Sequence, residues 1–579
     1  MRPVLSLAVA LTFALPAARA ESKDPLRFFP EQTDVVLKVE KPRALVEAVL
    51  KHDLAKEAED LPVVRELLDS ANFRRFFRLV AHFEKELGAP WPELIDKIAG
   101  GGMAAGLRIV PEADAPVLLV VQGTDEKAVA RFFDLGLSVL DDERARQGAP
   151  KPLPRKTYEG AECVELDKDA FVARAGDALL FSNKSEMLKA GIDRRAAARK
   201  ESKAGSAAGL AGKQAPGILP PNPAAWLWVN LKRVKELPQL KELFETPRAN
   251  FILTLVGAGY LDAARRSDFV AAGLYADGGN FRLAVRMPAG RDGMAPDVEL
   301  HLPRDPAVGG TLPLLEPKGV LFSHSFYFDF DTMYRKRDQI FPPDLVKGFN
   351  EGEKQISRFL VGSSLPKFLG QSGVYYRLVA AKPEPVADYK TVPDQRLPAF
   401  AAVLSMRDPD FAKTMTTVIK GGALAAGKAV SLKPWDEEIA GVPAFGYSFP
   451  ENGKFPEDPL KLHFNYQPSF GPYKDQYILA SNKGLFRQLV GILDREDRTH
   501  PAPQNMRLRA YAAGAGDYAA VGGDQSLAAT IVAQAVKIGE ARKQTEALFA
   551  FLQKLGTIGV ETDYTANEFR FDVTLKLKK

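Results

Sequence analysis

Short runs that alternate apolar and polar residues recur along the chain, and a period of two predicts strands with one face on a core. Phe281-Arg282-Leu283-Ala284-Val285 and Phe569-Arg570-Phe571-Asp572-Val573 are two such runs. Each follows a turn-like tetrad, Asp277-Gly278-Gly279-Asn280 and Thr565-Ala566-Asn567-Glu568. Another short strand lies just upstream of each turn, Phe269 to Tyr275 and Gly559 to Tyr564. Two hairpins are therefore predicted, one near the middle of the chain and one at its end.

Working back from each hairpin gives further pairs in the same order. Ala225 to Asn230, running into a helical Lys232 to Leu243, corresponds to Tyr518 to Gly523 and Ser526 to Val536. Leu179 to Lys184 corresponds to Ile478 to Lys483, and both end in Ser-Asn-Lys. Val117 to Val121 with the helix Asp125 to Leu135 matches Phe400 to Leu404 with Asp408 to Ile419. Trp91 to Gly100 resembles Leu365 to Gly370, and strand-like runs follow at Met103 to Ile109 and Val374 to Val379. The opening strands are Asp34 to Glu40 and Val320 to Asp331.

So many elements in one order point to duplication of a single module. Ser-Asn-Lys then reads as a strand-to-helix turn in which Ser or Asn caps the helix. The expected class is α+β: two similar halves, each a mainly antiparallel sheet with helices packed on one face. The expected layout is a signal peptide over 1–20, a first repeat over 21–290, a linker over 291–317 and a second repeat over 318–579. The Ala/Gly/Lys/Pro-rich stretch at about 193–223 is expected to be a flexible surface loop.

A length of 579 residues exceeds what one core serves, and 46% hydrophobic with 26% charged residues is ordinary globular composition. Lys+Arg at 78 against Asp+Glu at 73 leaves +5, too small a surplus to indicate nucleic-acid binding. One cysteine excludes an intramolecular disulfide framework, a Cys-rich zinc site and a haem-attachment motif. Cys163 lies in the alternating run Glu162 to Leu166 and reads as a small buried hydrophobe.

The N-terminus reads as an export signal. Arg2 precedes the uncharged apolar run Val4 to Leu15, and Ala18-Arg19-Ala20 is a small-x-small cleavage site, with cleavage after Ala20. No cysteine stands there to receive a lipid and no twin-arginine pair precedes the run. The mature chain is thus expected outside the cytoplasm, periplasmic or secreted, with no membrane span after signal removal.

The chemistry-bearing strings are weak. Gly370-Gln371-Ser372-Gly373 has the glycine one place early for a nucleophile elbow. Gly205 to Lys213 fails as a phosphate loop at Gln214, and Gly100-Gly101-Gly102 lacks dinucleotide spacing; both read as loops. His82-Phe83-Glu84 stands alone on a helix. Asp329-Phe330-Asp331 extends a strand face with Ser323, Ser325 and Tyr327. A solvated face is the preferred reading there and a calcium or carbohydrate stripe the alternative. Basic clusters such as Arg74-Arg75-Phe76-Phe77-Arg78 and Arg335-Lys336-Arg337 read as solvated helix faces, with anionic polymers or lipid headgroups as the alternative partner. No catalytic, binding, metal or cofactor residue stands out, and no cofactor is implied.

The order of elements carries one resemblance. After the export signal come a strand, a helix and a leucine-rich stretch closing on glycine before a short strand (Leu94 to Leu107). Then follow an apolar strand running into an Asp-initiated helix (Val120 to Phe133), another strand, a Ser-Asn pair and a helix. This resembles the large exported bacterial proteins classified only as domains of unknown function. The resemblance implies an exported, duplicated α+β protein and brings no catalytic residues with it. The expected function is a non-catalytic envelope protein that binds an envelope or extracellular partner, or assists assembly, through the groove between its halves. A hydrolase with a site assembled in one half, or an apolar-ligand binder, is the alternative.

Overall fold

The structure is a computed structural model. It describes residues 24–578 except 51–54, 56–57, 60, 112–113, 149–151, 202–208, 246–256, 278, 306–307, 361, 431, 454–456, 500–504, 513, 515 and 517–536. The expected signal (1–20), residues 205–208 of the phosphate-loop-like string and the expected elements at 518–523 and 526–536 lie outside the described residues.

Strands in the first part of the chain are β1 (Val35–Val39), β2 (Met103–Leu107), β3 (Val117–Gln122), β4 (Arg155–Tyr158), β5 (Ala161–Asp167), β6 (Ala170–Ala175), β7 (Ala178–Ser182), β8 (Ala225–Asn230), β9 (Phe269–Asp277) and β10 (Asn280–Met287). Then come β11 (Val320–Tyr327), β12 (Ser372–Ala381), β13 (Ala399–Met406), β14 (Lys433–Ile439), β15 (Val442–Ser448), β16 (Ser469–Tyr473), β17 (Gln476–Ala480), β18 (Met506–Tyr511), β19 (Thr557–Tyr564) and β20 (Phe569–Lys576). With the helices between them, these strands make the chain an α+β protein built on extensive antiparallel pairing.

The chain forms two compact units. The first comprises residues up to Thr33 with Phe83–Arg108 and Asp114–Lys213; the second comprises Asp34–His82, Ile109–Ala113 and Gln214–Lys579. These limits differ from the expected boundary at 291–317.

In the first unit the strands are ordered β2-β3-β7-β6-β5-β4, every neighbour antiparallel. One face packs Val164, Val172 and Leu179 against Val129, Phe133 and Leu137 of helix Glu126–Arg146. Asp125 starts that helix by accepting from the amides of Lys127 and Ala128. Helix Ser185–Glu201 covers the other face, where Gly191 sits so close to Leu118 and the Phe28 carbonyl that a Cβ would crowd both. The expectation of helices on one face is thus corrected. β7 buries Leu179 and Leu180 in succession, so both faces of the sheet centre are apolar and both need cover.

In the second unit the order is β1-β8-β9-β10-β20-β19-β18-β11-β12-β13-β17-β16-β15-β14. β10 and β20 pair from Asn280↔Lys576 to Met287↔Phe569. The two hairpins expected to close separate halves are therefore zipped edge to edge in one sheet, which corrects the expectation of separate sheets; pairing satisfies two otherwise open edges. Ala401, Val403, Ile478 and Ala480 bury one face against Phe486, Leu489, Val490 and Leu493 of helix Lys483–Thr499. On the other face Tyr477 meets helix Asp410–Val430, its hydroxyl 3.0 Å from Thr416 Oγ1.

Two further expectations are corrected. The stretch 291–317 is packed rather than a free linker: Val298, Leu300, Leu302 and Leu315 are buried, and Arg291 donates to the carbonyls of Tyr564 and Pro303. Its periodicity is poor because only scattered apolar residues plug into the core. The loop expected at 193–223 contains the end of helix Ser185–Glu201 and helix Gly209–Ile218, with Ala211 and Ala215 buried. High alanine content favours helix when small side chains can pack closely.

Candidate functional site

Beside the β4–β5–β6 meander of the first unit lies a cavity of about 490 Å³ lined by Glu126, Arg155, Thr157, Glu162, Arg174 and Arg195, with Gly160 and Gly176 at its rim. Two tight turns build it. Glu159 and Gly160, at φ 45° and 74°, join β4 to β5; Gly176, at φ 68°, begins the turn from β6 to β7. Left-handed residues suit the twist of two-residue hairpins. The register that follows sets Thr157 opposite Glu162 and Glu162 opposite Arg174, so these side chains share one face.

The charges are interlocked. Glu162 accepts from Arg155 at 2.8 Å and from Arg174 at 3.2 Å. Arg155 also donates to Asp134 at 2.7 Å, and the two carboxylates hold its guanidinium above the ordinary arginine value, Asp134 foremost. Arg195 enters from helix Ser185–Glu201 and is buried. Its guanidinium lies 5.6 Å from the centre of the Phe28 ring, over which Arg27 also sits at 5.1 Å. Gly176 matters here: a Cβ would stand 3.0 Å from the Arg195 guanidinium. The Nε of Arg174 is buried and has no hydrogen-bond partner.

Three guanidiniums against the carboxylates of Glu126 and Glu162 suit a carboxylate, phosphate or other flat anion, because the guanidinium fork matches two oxygens at once. Thr157 is the single hydroxyl in the lining, and no imidazole or thiol joins it.

None of these residues stands out in a linear reading, because Arg155, Glu162 and Arg174 converge only after the hairpin register is fixed. The usable signal was Glu159-Gly160 flanked by strand-forming residues, from which that register follows.

The strings weighed in the sequence have structural roles. Asp329 is not on a strand; it caps helix Phe330–Arg335, accepting from Thr332 N, and Arg407 reaches both Asp329 and Asp331 at 3.3 and 3.9 Å. Ser323 and Ser325 are fully buried, which overturns the solvated-face reading. The cover is the 291–317 segment, to which Tyr375 and Arg377 on the neighbouring strand donate at the Gly309 and Pro313 carbonyls. Ser372 Oγ donates to the Leu369 carbonyl. Gly101 lies against the Gln122 side chain, in a packed turn. Cys163 is half-buried, and that burial raises its thiol above the ordinary value.

Ser-Asn-Lys is a turn in both places. Ser182 Oγ donates to the Val117 carbonyl and accepts from Lys184 N, while Asn183 ties Ala115 and Val117. Asn482 caps helix Lys483–Thr499 by accepting from Leu485 N, and Ser481 Oγ accepts from Phe400 N.

No family model and no curated protein matches the chain. Among solved structures, crystal form III of TP0453 aligns with 12% identity and a TM-score of 0.23, covering 47% of this chain and 82% of that one. Crystal form I aligns with 12% identity and a TM-score of 0.21, covering 48% and 82%.

Proposed function

We propose that the chain is an exported, non-catalytic binding protein of the cell envelope, built by duplication, whose first copy holds an anionic group of its partner in the arginine-lined cavity. The duplication is supported by strand order. The run β2-β3-β7-β6-β5-β4 has the same wiring as β12-β13-β17-β16-β15-β14, and β1-β8-β9-β10 the same as β11-β18-β19-β20. Even the turns agree: Ala440 and Gly441, at φ 52° and 79°, join β14 to β15 as Glu159 and Gly160 join β4 to β5. Export rests on the N-terminal pattern read above.

Counting from those matched turns places Asp436, Pro443 and Pro472 where the first copy has Arg155, Glu162 and Arg174. A scaffold used twice with a cationic cleft in one copy is what specialisation of one half for binding produces. The convergence of Arg155, Arg174 and Arg195 on one cavity carries the reading, since a bound anion would be held by their guanidinium forks.

The test is thermal unfolding with added inorganic phosphate and, separately, citrate. A rise in midpoint that scales with anion concentration and is lost in Arg174→Gln and Arg195→Gln is expected. A midpoint indifferent to both anions, or equally raised in the variants, rejects the cleft as the binding site. Fractionation of the producing cells tests the compartment; a cytoplasmic, uncleaved chain removes the envelope from the reading.

A further inference from the structure

Helix Ala71–Leu87 (ANFRRFFRLVAHFEKEL) belongs neither to the sheets nor to the cleft. At about 100° per residue, Phe73, Phe76, Phe77, Val80 and Phe83 fall on one side and Arg74, Arg75, Arg78, His82 and Lys85 on the other. The far end of the helix is anchored: the Phe83 ring lies 4.8 Å from Phe132, and Glu84 accepts from Trp91 N at 2.7 Å. The middle is bare. Every residue from Arg74 to Leu79 is exposed, Phe76 by 55% and Phe77 by 54%. These two rings meet each other at 5.8 Å and Phe73 at 6.2 and 5.1 Å, so the aromatic cluster stands in solvent.

Charge defines what suits this face. No acidic residue occurs between Asp69 and Glu84, a stretch that carries three arginines. Arg74 meets Asp69 at 3.3 Å, but both side chains are well exposed, so the pair restrains the arginine little. We propose that this helix docks the protein, lying in plane, on a bilayer surface rich in anionic phospholipid. Aromatic side chains on one side and arginines on the other are the composition that seats a helix at the headgroup boundary: rings enter the acyl margin while guanidiniums reach phosphate. No helix among the described residues is long and apolar enough to cross a membrane, so the attachment is peripheral. The inference goes beyond the cleft and does not depend on it.

The test is co-sedimentation of the full chain with vesicles of an equal mixture of phosphatidylglycerol and phosphatidylcholine, and with phosphatidylcholine alone. Pelleting with the anionic vesicles, weakened by added salt and much lower on the neutral ones, is expected. Each of Arg74→Gln, Arg75→Gln and Arg78→Gln should reduce partitioning about fivefold. Phe76→Ser with Phe77→Ser should reduce it about a hundredfold. Both sites are exposed, and circular dichroism checks that the variants keep their fold. Phe77→Trp should show emission shifted to shorter wavelength on anionic vesicles and quenched by brominated lipid. A chain that stays in solution with both vesicles overturns the proposal and leaves the face to an acidic protein. Equal binding to both lipids, or binding unchanged in the arginine and phenylalanine variants, overturns it as well.

Discussion

Removing the carboxylate of Asp572 should unzip the seam between β10 and β20. Arg286 donates to Asp572 Oδ1 at 2.7 Å and Oδ2 at 3.1 Å, a two-pronged pair that crosses the seam, and it also donates to the Val285 carbonyl at 2.9 Å. The side chains are 6% and 19% exposed, so the guanidinium is out of water and the carboxylate nearly so. Asp572→Ala leaves a buried cation without its partner, and such losses run to about 3–5 kcal/mol. The residual access of Asp572 to solvent places the cost at the lower end, about 3 kcal/mol, or roughly two decades in the unfolding equilibrium. Replacing both groups, Arg286→Met with Asp572→Leu, removes the stranded charge and should cost about 1 kcal/mol. Urea unfolding followed by tryptophan fluorescence reads the effect, because Trp226 and Trp228 are buried on β8, two strands from the seam. Hydrogen exchange along β10 and β20 localises it. A loss below about 1 kcal/mol in Asp572→Ala, or a double variant as unstable as the sum of the two single ones, would refute the argument.

The pH dependence of His324 has a definite sign. Burial holds its imidazole below the ordinary value of about 6.5, so the unfolded chain takes up the proton first; stability is full above that pH and falls as the pH drops through it towards the folded value. His324→Phe, which keeps the stacking on Phe326 at 5.1 Å, should flatten that fall in chemical denaturation across the window, and an unchanged slope counts against it. Gly290→Ala should cost about 3 kcal/mol in thermal unfolding, because a Cβ there overlaps the Ala566 carbonyl and backbone must move. Asn482→Ala should cost about 1 kcal/mol through the lost helix cap, and Asn482→Asp should retain most of it.

The closing hairpins were legible because alternation and turn residues agree there: the run Phe281 to Val285 sits inside β10, and Phe569 to Val573 inside β20. Their mutual pairing was not legible, since nothing in a strand's own pattern names its neighbour across nearly half the chain. Apolar β7 betrayed a strand but not that both of its faces needed helices. The Ser323–Ser325 face looked solvated because hydroxyls and carboxylates alternate with phenylalanines; the cover comes from a segment with no periodicity of its own. The cleft was hidden for the same reason as the seam, as its arginines lie on separate strands and a helix and meet only in three dimensions. The exposed arginine–phenylalanine helix was visible as a basic cluster, but only the structure tells a bare aromatic face from a buried one.

The rim strand β14 has a consequence for self-assembly. It pairs with β15 alone among the described strands and carries Pro434 followed closely by Asp436, Glu437 and Glu438. A second molecule trying to extend the sheet there meets a proline and three carboxylates, of which Asp436 and Glu437 are paired with Lys420 and Lys483, so the rim is a poor template for fibre growth at neutral pH. Protonating the carboxylates in acid would lift the charge part of the barrier and leave the proline as the remaining guard.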